Sequence, residues 1–448
     1  MATQESPLRQ DIVRPAKLHK PAKAPPRRTV AGPLKALVGP RNFSQALDRV
    51  IAPQRRREIA QQSGYDAQAQ KLTFEPYLRA LLVRQVVGGT LHDLQHGMAA
   101  DPLYEVHGAR LAISVPGLSK ANGQRPSQPF WEVLAEVMAT GDTLPQAVRI
   151  GRKEPLGAVT PRQLREIAQV LERPQIFDAT TLELPPQIAR WARTSQKQER
   201  AGIKVQLRLR AGYGGVDRVM VTGAKGNENP YFQAMLDLES AGPGQIYLFD
   251  TGYCKLATYD QIREHGCEVV TALHENITVE VVAERVVETP VTGQGYRIHS
   301  DGIVRLGAGD ARSRHLWRLL DATDTQGRRR TILTSFLEES AERITPLGAY
   351  RWTIEIVFRW LKRVLKLDQL MSVSPKGVEL QVAVALIVYG VLLQYHHGGA
   401  LSLKAIQRRV KTELHRALFA AGVAEGERRA RARAAAPGPS PPRLRAVG

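Results

Sequence analysis

Cysteine is almost missing from this chain: Cys254 and Cys267 are the only two in 448 residues. Two thiols cannot build a disulfide framework, and such scarcity fits a reducing cytoplasm. Both are expected to be small buried hydrophobes. His265 stands close to Cys267, but no second ligand pair follows at a usable spacing, so no zinc site is expected. Long apolar runs are missing too, since none reaches the roughly 18 residues that a membrane-spanning helix needs. The first residues are polar and rich in Pro and Lys, without the apolar core of a secretion signal. Acidic residues are in short supply, with 43 Asp and Glu against 63 Lys and Arg, a net charge of +20 and a pI near 10.2. That imbalance recurs in every segment and favours a polyanionic partner, nucleic acid before membrane.

What is present divides the chain. Residues 1–42 carry Lys17, Lys20, Lys23, Arg27 and Arg28 among Pro and Ala, and read as a disordered basic arm. Residues 421–448 read as a disordered Arg/Pro-rich tail. From 43 to 172 the signal is helical. Leu72–Arg84 has helical apolar spacing, Thr90 caps a second helix, and Ser114–Arg125 starts a third. With Lys120, Asn122 and Arg125 on the last, a helix-turn-helix and a plain helical bundle fit equally well.

At about 173 the period changes from helix to strand. Gln175–Asp178, Lys204–Arg210 and Val216–Thr222 form a meander. A helix at about 230–240, an apolar strand Ile246–Phe249, a helix at about 259–265 and a strand Glu268–Leu273 follow. This order predicts an α/β fold with an RNase H-like mixed sheet over 173–276 and 344–370. Residues 277–343 read as a β-rich insertion, with strands at Thr278–Val282, Tyr296–Leu306 and Arg329–Ser335, and 371–420 as a C-terminal helical segment.

The most informative run is Tyr350–Lys362. As a helix at roughly 100° per residue it places Ile354, Val357, Phe358, Leu361, Val364 and Leu365 on one apolar stripe. Arg351, Glu355 and Lys362 lie beside the stripe, flanked by Arg359 and Lys366. Glu355 is thus a single carboxylate among cations at the edge of a buried face. Asp178 and Asp250 stand where apolar strand sequence stops, and two strands can bring them together. Three converging carboxylates suit hard divalent cations and phosphodiester chemistry. An Asp at a strand end is most often a turn former or cap, and Asp217, Asp237 and Asp301 are read that way. The joint occurrence of Asp178, Asp250 and Glu355 in this element order favours a catalytic set.

Those residues carry a resemblance. Phe177-Asp-Ala-Thr-Thr181, Phe249-Asp-Thr-Gly-Tyr253 and the spacing Arg351, Glu355, Lys362 resemble the three signature regions of DDE transposases of the bacterial insertion-sequence family founded on insertion sequence four. The likeness spans about 45–395. It implies catalytic and metal-binding roles for Asp178, Asp250 and Glu355, with two Mg²⁺ per site and Mn²⁺ as substitute. It implies phosphate contacts for Arg351 and Lys362, and DNA contacts for Tyr350 and Arg359 and, in the helical domain, Lys120 and Arg125. Trp317 or Trp352 could stack on a flipped base. The family pattern has Tyr three residues before the Arg; here that position is Gly348, and Tyr350 is the candidate replacement. The expected activity is excision at terminal inverted repeats through a hairpin and joining of 3′ ends to double-stranded target DNA. A homodimer synapsing two ends and a bacterial, nucleoid-associated location follow from the same resemblance. Two other readings are a catalytically silent DNA-binding descendant and an RNase H-like nuclease without strand transfer.

Overall fold

The computed structural model describes residues 47–69, 71–100, 105–106, 109–110, 113–142, 174–194, 200–211, 214–224, 229–287, 291–292, 295–324, 326–397 and 404–412, with 414, 415, 427 and 431. The basic arm expected at 1–42, and all but two residues of the tail expected at 421–448, lie outside the described residues.

Among the described residues, helices α1 Pro53–Gln62, α2 Phe74–Val87, α3 Leu91–Ala100, α4 Val115–Gln124 and α5 Gln128–Asp142 come first. Local chemistry sets their starts. Asp93 accepts from the Thr90 N–H (2.6 Å) and hydroxyl, while the Thr90 hydroxyl accepts from the Asp93 N–H, a reciprocal cap on α3. Ser114 caps α4 through the Gly117 N–H at 3.2 Å. Tyr65, Phe74, Tyr77 and Phe130 pack edge to face at 5.0–6.4 Å between ring centres and hold α2 to α5. Arg56 is fully buried, its guanidinium shared by Glu75, Asp48 and the Ile51 carbonyl. The region is not wholly helical, because Glu105–Val106 pairs antiparallel with Ala109–Arg110.

The remainder is built on one nine-stranded sheet: β1 Pro174–Leu184, β2 Ala201–Arg210, β3 Val216–Gly223, β4 Ile246–Phe249, β5 Glu268–Ala272, β6 Val279–Glu284, β7 Arg297–Leu306, β8 Leu316–Thr323 and β9 Arg329–Thr334. Its order is β3-β2-β1-β4-β5-β9-β8-β7-β6. The first three strands are an antiparallel meander, while β4 runs parallel to β1 and β5 parallel to β4. Connections through α6 Asn229–Leu236 and α7 Leu256–Glu264 allow the parallel pairings. Strands β6 to β9 continue the same sheet through the antiparallel pair β5–β9, so the region read as an insertion extends the sheet rather than forming a layer of its own.

Two sequence expectations, the turn roles of Asp217 and Asp301, need correcting here. On β2 Gln206 and Arg208 are buried, and Arg208 is bound to Asp217 (3.0 Å) and to the carbonyls of Met235 and Leu236 at the end of α6. A helix C-terminus with orphan carbonyls neutralises a cation inside the fold. Asp217 and Asp301 are accordingly strand residues in ion pairs rather than turn formers; Asp301 grips Arg318 of β8 at 2.6 and 2.8 Å. Asp237 does turn the chain, at φ 52°, and also pairs with Arg218.

Helices α8 Ala341–Tyr350 and α9 Thr353–Arg363 return the chain to the sheet, α8 against β5 and α9 against β1. The last long helix, α10 Pro375–His397, packs on α5, α2, α4 and α9. Contrary to the run-length expectation, Pro375–Gln394 is long and apolar enough to cross a membrane by composition, with mean hydropathy 1.8. Of that window 89% is buried inside the protein, so its apolarity serves the core.

Candidate active site

The register of the parallel pair β1–β4 builds the site. Pairing runs Pro174 with Ile246 through Phe177 with Phe249 and stops there. The next residue on each strand is an acid, Asp178 and Asp250, so two residues far apart in sequence leave adjacent strands side by side. Asp178 is not the end of its strand, as the sequence suggested: β1 continues to Leu184, paired with β2 alone. Behind the acids Phe177, Phe249, Phe232 and Tyr253 form a floor with ring centres 5.0–6.5 Å apart. Each carboxylate is steadied by the next backbone N–H, Asp178 by Ala179 at 2.7 Å and Asp250 by Thr251 at 2.8 Å.

Glu355 arrives on the first turn of α9. Its helix is held by the stripe read from the sequence: Ile354, Val357, Phe358 and Leu361 are buried. Asp178, Asp250 and Glu355 line one open cavity of about 650 Å³, with Thr180, Phe358, Arg359, Lys362 and Arg363 on its walls. Arg351, in the turn before α9, stands between two of the acids, 3.5 Å from Glu355 and 3.8 Å from Asp250. Burial pushes the Asp178 carboxyl up to about 7, with the charges of Asp250 and Glu355 adding to the rise and the Ala179 N–H and Arg351 opposing it.

This donor set is oxygen only and carries excess negative charge, which suits a hard divalent cation. The raised affinity of Asp178 for a proton comes first from burial, and the neighbouring charges of Asp250 and Glu355 add to it. Among the described residues no three acid, His or Cys side chains are drawn together at ligand spacing; three bare carboxylates repel one another, and Arg351 stands between Asp250 and Glu355.

The proposed DNA contacts divide. Arg359 is exposed at the cavity rim, and Arg363, one turn on, joins it; Arg363 was not singled out in the sequence, although its i+4 spacing from Arg359 was there to be read. Lys362 lines the cavity but donates to the Thr181 carbonyl at 2.7 Å, tying α9 to β1, and burial lowers its pKa. Tyr350 is a correction. It is 1% exposed, and its hydroxyl donates to the Ala211 carbonyl at 3.0 Å, so it reaches no ligand. Lys120 is exposed on α4 and outside the cavity lining. Arg125 is instead a staple of the helical region, bound to the Leu72 carbonyl and stacked 5.1 Å over the Tyr65 ring. Trp317 is fully buried and bonded to Ser313, which removes it as a base-stacking residue. Trp352 is half-buried between Arg330 and Arg351, at 5.2 and 5.6 Å.

Gly348 is also explained by packing. A Cβ at this position would stand 3.0 Å from Cδ1 and 3.3 Å from Cγ1 of Ile332 on β9. Gly348→Tyr should therefore destabilise the protein by about 1–3 kcal/mol through overpacking. A fall in the urea midpoint relative to wild type checks this, and an unchanged midpoint would show that α8 has room to move.

The chain's likeness to known proteins agrees with the geometry. Residues 171–391 match the family model described as a transposase DDE domain. This region resembles a transposase DDE domain. All three acids fall within it, and α1 to α5 precede it. A protein of Sinorhizobium fredii named as a transposase is 33% identical over 150 residues, covering 33% of this chain and 42% of that protein. A protein of Geobacillus stearothermophilus, named as the transposase for insertion sequence element IS5377, is 25% identical over 235 residues, covering 52% of this chain and 59% of that one. The matches thus span less than two thirds of either relative's length. A solved piggyBac transposase synaptic complex with hairpin DNA aligns over 91% of this chain and 84% of its own at 12% identity, with a TM-score of 0.35; a likeness that loose carries no weight for function.

Proposed function

We propose that this protein is a DNA transposase of an insertion sequence, of the family founded on insertion sequence four, with an RNase H-like core. It would cut element ends at terminal inverted repeats through a hairpin and join the 3′ ends to target DNA. The observation that carries this reading is the convergence of Asp178, Asp250 and Glu355 on one cavity with Arg359, Lys362 and Arg363 on its walls, inside the region that matches the transposase DDE model.

Asp178, Asp250 and Glu355 are the residues that would hold two Mg²⁺, or Mn²⁺. When bound, the pair supplies an activated water or 3′-hydroxyl and stabilises the leaving oxygen. The protein's own part is preorganisation. Backbone N–H groups fix the two Asp rotamers, the aromatic floor keeps the strand ends rigid, and the hydrophobic stripe of α9 aims Glu355. Arg359 and Arg363 offer planar forks to phosphate, and Lys362 a point charge. Arg351 balances Asp250 and Glu355 until a cation takes that task. Double-stranded DNA is the substrate, and a homodimer would bring two ends together.

The test is strand cleavage. Purified protein is incubated with labelled DNA from the flanks of its own gene, with Mg²⁺ or with EDTA. Cleavage at a defined end that depends on the metal supports the proposal. Sequence-specific binding without cleavage under any divalent metal would replace it with a DNA-binding descendant. Cleavage of branched or hybrid substrates without joining would replace it with a nuclease. Lys362→Ala should weaken DNA binding similarly across sequences and reduce the slope of log affinity against log salt by about one; an unchanged slope removes Lys362 from the phosphate contacts.

A further inference from the structure

The exposed apolar side chains are concentrated in one place. Five large ones stand open among the described residues, and four are Val281, Val282, Val286 and Val291, on β6 and the chain just beyond it. Strand β6 is the outer edge of the nine-stranded sheet. From Glu280 to Glu284 every residue is exposed, so β6 stands clear of the protein body on both faces as well as along its edge. Free edges of this kind attract another strand, and proteins usually blunt them with Lys, Pro or a cover. Among the described residues the edge is blunted by the bulge at Val281/Ala283 and by the charges of Glu280, Glu284 and Arg285, with no Lys or Pro on the strand.

We propose that β6 pairs antiparallel with β6 of a second copy of this chain, continuing the sheet across a two-fold axis. The sequence of the edge names the occupant, because it is complementary to itself when reversed. In one register Val279 faces Val286, Glu280 faces Arg285, Val281 faces Glu284 and Val282 faces Ala283, each pairing occurring twice about the axis. One pairing thus joins opposite charges, one joins two valines and one joins Val282 to Ala283, while Val281 meets the aliphatic stem of Glu284 and no like charges face each other.

The backbone agrees with that register. The Thr278 carbonyl and the Arg285 N–H both turn inward to β7, accepting from Gly307 at 2.8 Å and donating to Asp301 at 2.9 Å. By alternation along a strand, Val279, Val281, Glu284 and Val286 direct their backbone groups outward. Those are the residues that the register pairs with one another, so their free donors and acceptors meet. The present partners of the charged pair leave room for it. Glu280 is bonded to Arg312, both exposed, while Arg285 donates to the Leu337 carbonyl and lies 3.8 Å from the buried Asp301 and 3.9 Å from the exposed Glu338, so its guanidinium would be shared with the partner's Glu280 rather than released to it. This proposal stands on the edge alone and does not depend on the reading of the acid site.

Sedimentation velocity on the full chain, freed of nucleic acid and run at high salt, tests it. Wild type should be a dimer. Val281→Pro, which deletes an outward donor and leaves the β7 ladder alone, should raise the dimer dissociation constant by at least about tenfold. Val286→Asp lies past the end of the strand, where folding is not at stake, and should do the same. Ile188→Asp, at the fifth exposed site, should change nothing. Glu280→Arg should weaken the dimer, and adding Arg285→Glu should restore it. A monomeric wild type, or a dimer that survives both Val281→Pro and Val286→Asp, overturns the proposal, and failure of the charge reversal to restore association overturns the register.

Discussion

Glu355→Gln and Asp250→Asn should each lower metal-dependent strand cleavage by roughly a thousandfold or more, which corresponds to at least about 4 kcal/mol of barrier. An amide oxygen is a poorer ligand than a carboxylate, and the site loses charge that a divalent cation needs. DNA affinity should hold or rise slightly. Glu355 lies 3.5 Å from Arg351, so neutralising it frees a cation for phosphate and removes a repulsive charge from the cavity. Folding should survive, since both side chains are partly exposed, 31% for Glu355 and 44% for Asp250. Parallel measurements of cleavage and filter binding separate the roles. Loss of binding together with cleavage, with a lowered unfolding midpoint, would make these acids structural. Cleavage that persists in either variant would move the chemistry elsewhere.

Why the convergence of the acids on one cavity was legible in the sequence, and the packing of some of their neighbours was not, has a physical reason. Asp178 and Asp250 each follow an apolar strand segment, and a buried parallel pair leaves such a mark because both faces must be hydrophobic. The stripe that aims Glu355 has the period of a helix, again a local signal. Tyr350 carries no such signal. It is the last residue of α8, beside Arg351, and only the tertiary contact with the Ala211 carbonyl shows that it is spent on packing. Gly348 is the same case: its neighbour is Ile332, a strand away, and sequence spacing cannot show that contact.

The sheet shows a second kind of limit. Lys204–Arg210 alternates as a half-exposed strand should, yet Arg208 is buried because α6 ends its orphan carbonyls over it. Strand β8 went unread altogether. Its Trp317, Arg318 and Asp321 look like a polar connection until Asp301 is placed on the neighbouring strand to bind Arg318. In both cases a cation is made acceptable inside the fold by a partner that arrives from another element, and a pattern read along one segment cannot contain it.

The same coupling makes Asp178→Asn a test of electrostatic demand in the site. The Asp178 carboxyl has its pKa raised from 3.8 to about 7 in the folded protein. Between those values the folded state keeps a proton that the unfolded chain has released, so stability falls as pH rises across this window and levels off above it. Asn does not titrate, and its stability skips that loss. The full shift would be worth about 4 kcal/mol at 1.36 kcal/mol per pH unit. Solvent relaxation around an open cavity should leave roughly half, so in EDTA the variant should gain about 2 kcal/mol on wild type between pH 4 and pH 8. Urea unfolding at the two pH values gives the difference directly, with other titrating groups cancelling between the two proteins. An equal gap at both would mean that Asp178 is solvated like a surface acid. Mg²⁺ at pH 8 should then reverse the order by stabilising wild type and not the variant, because a cation that binds only the folded carboxylate cluster adds to stability by mass action. If Mg²⁺ moves both curves alike, the ion is binding elsewhere, and Asp178 is not among its ligands.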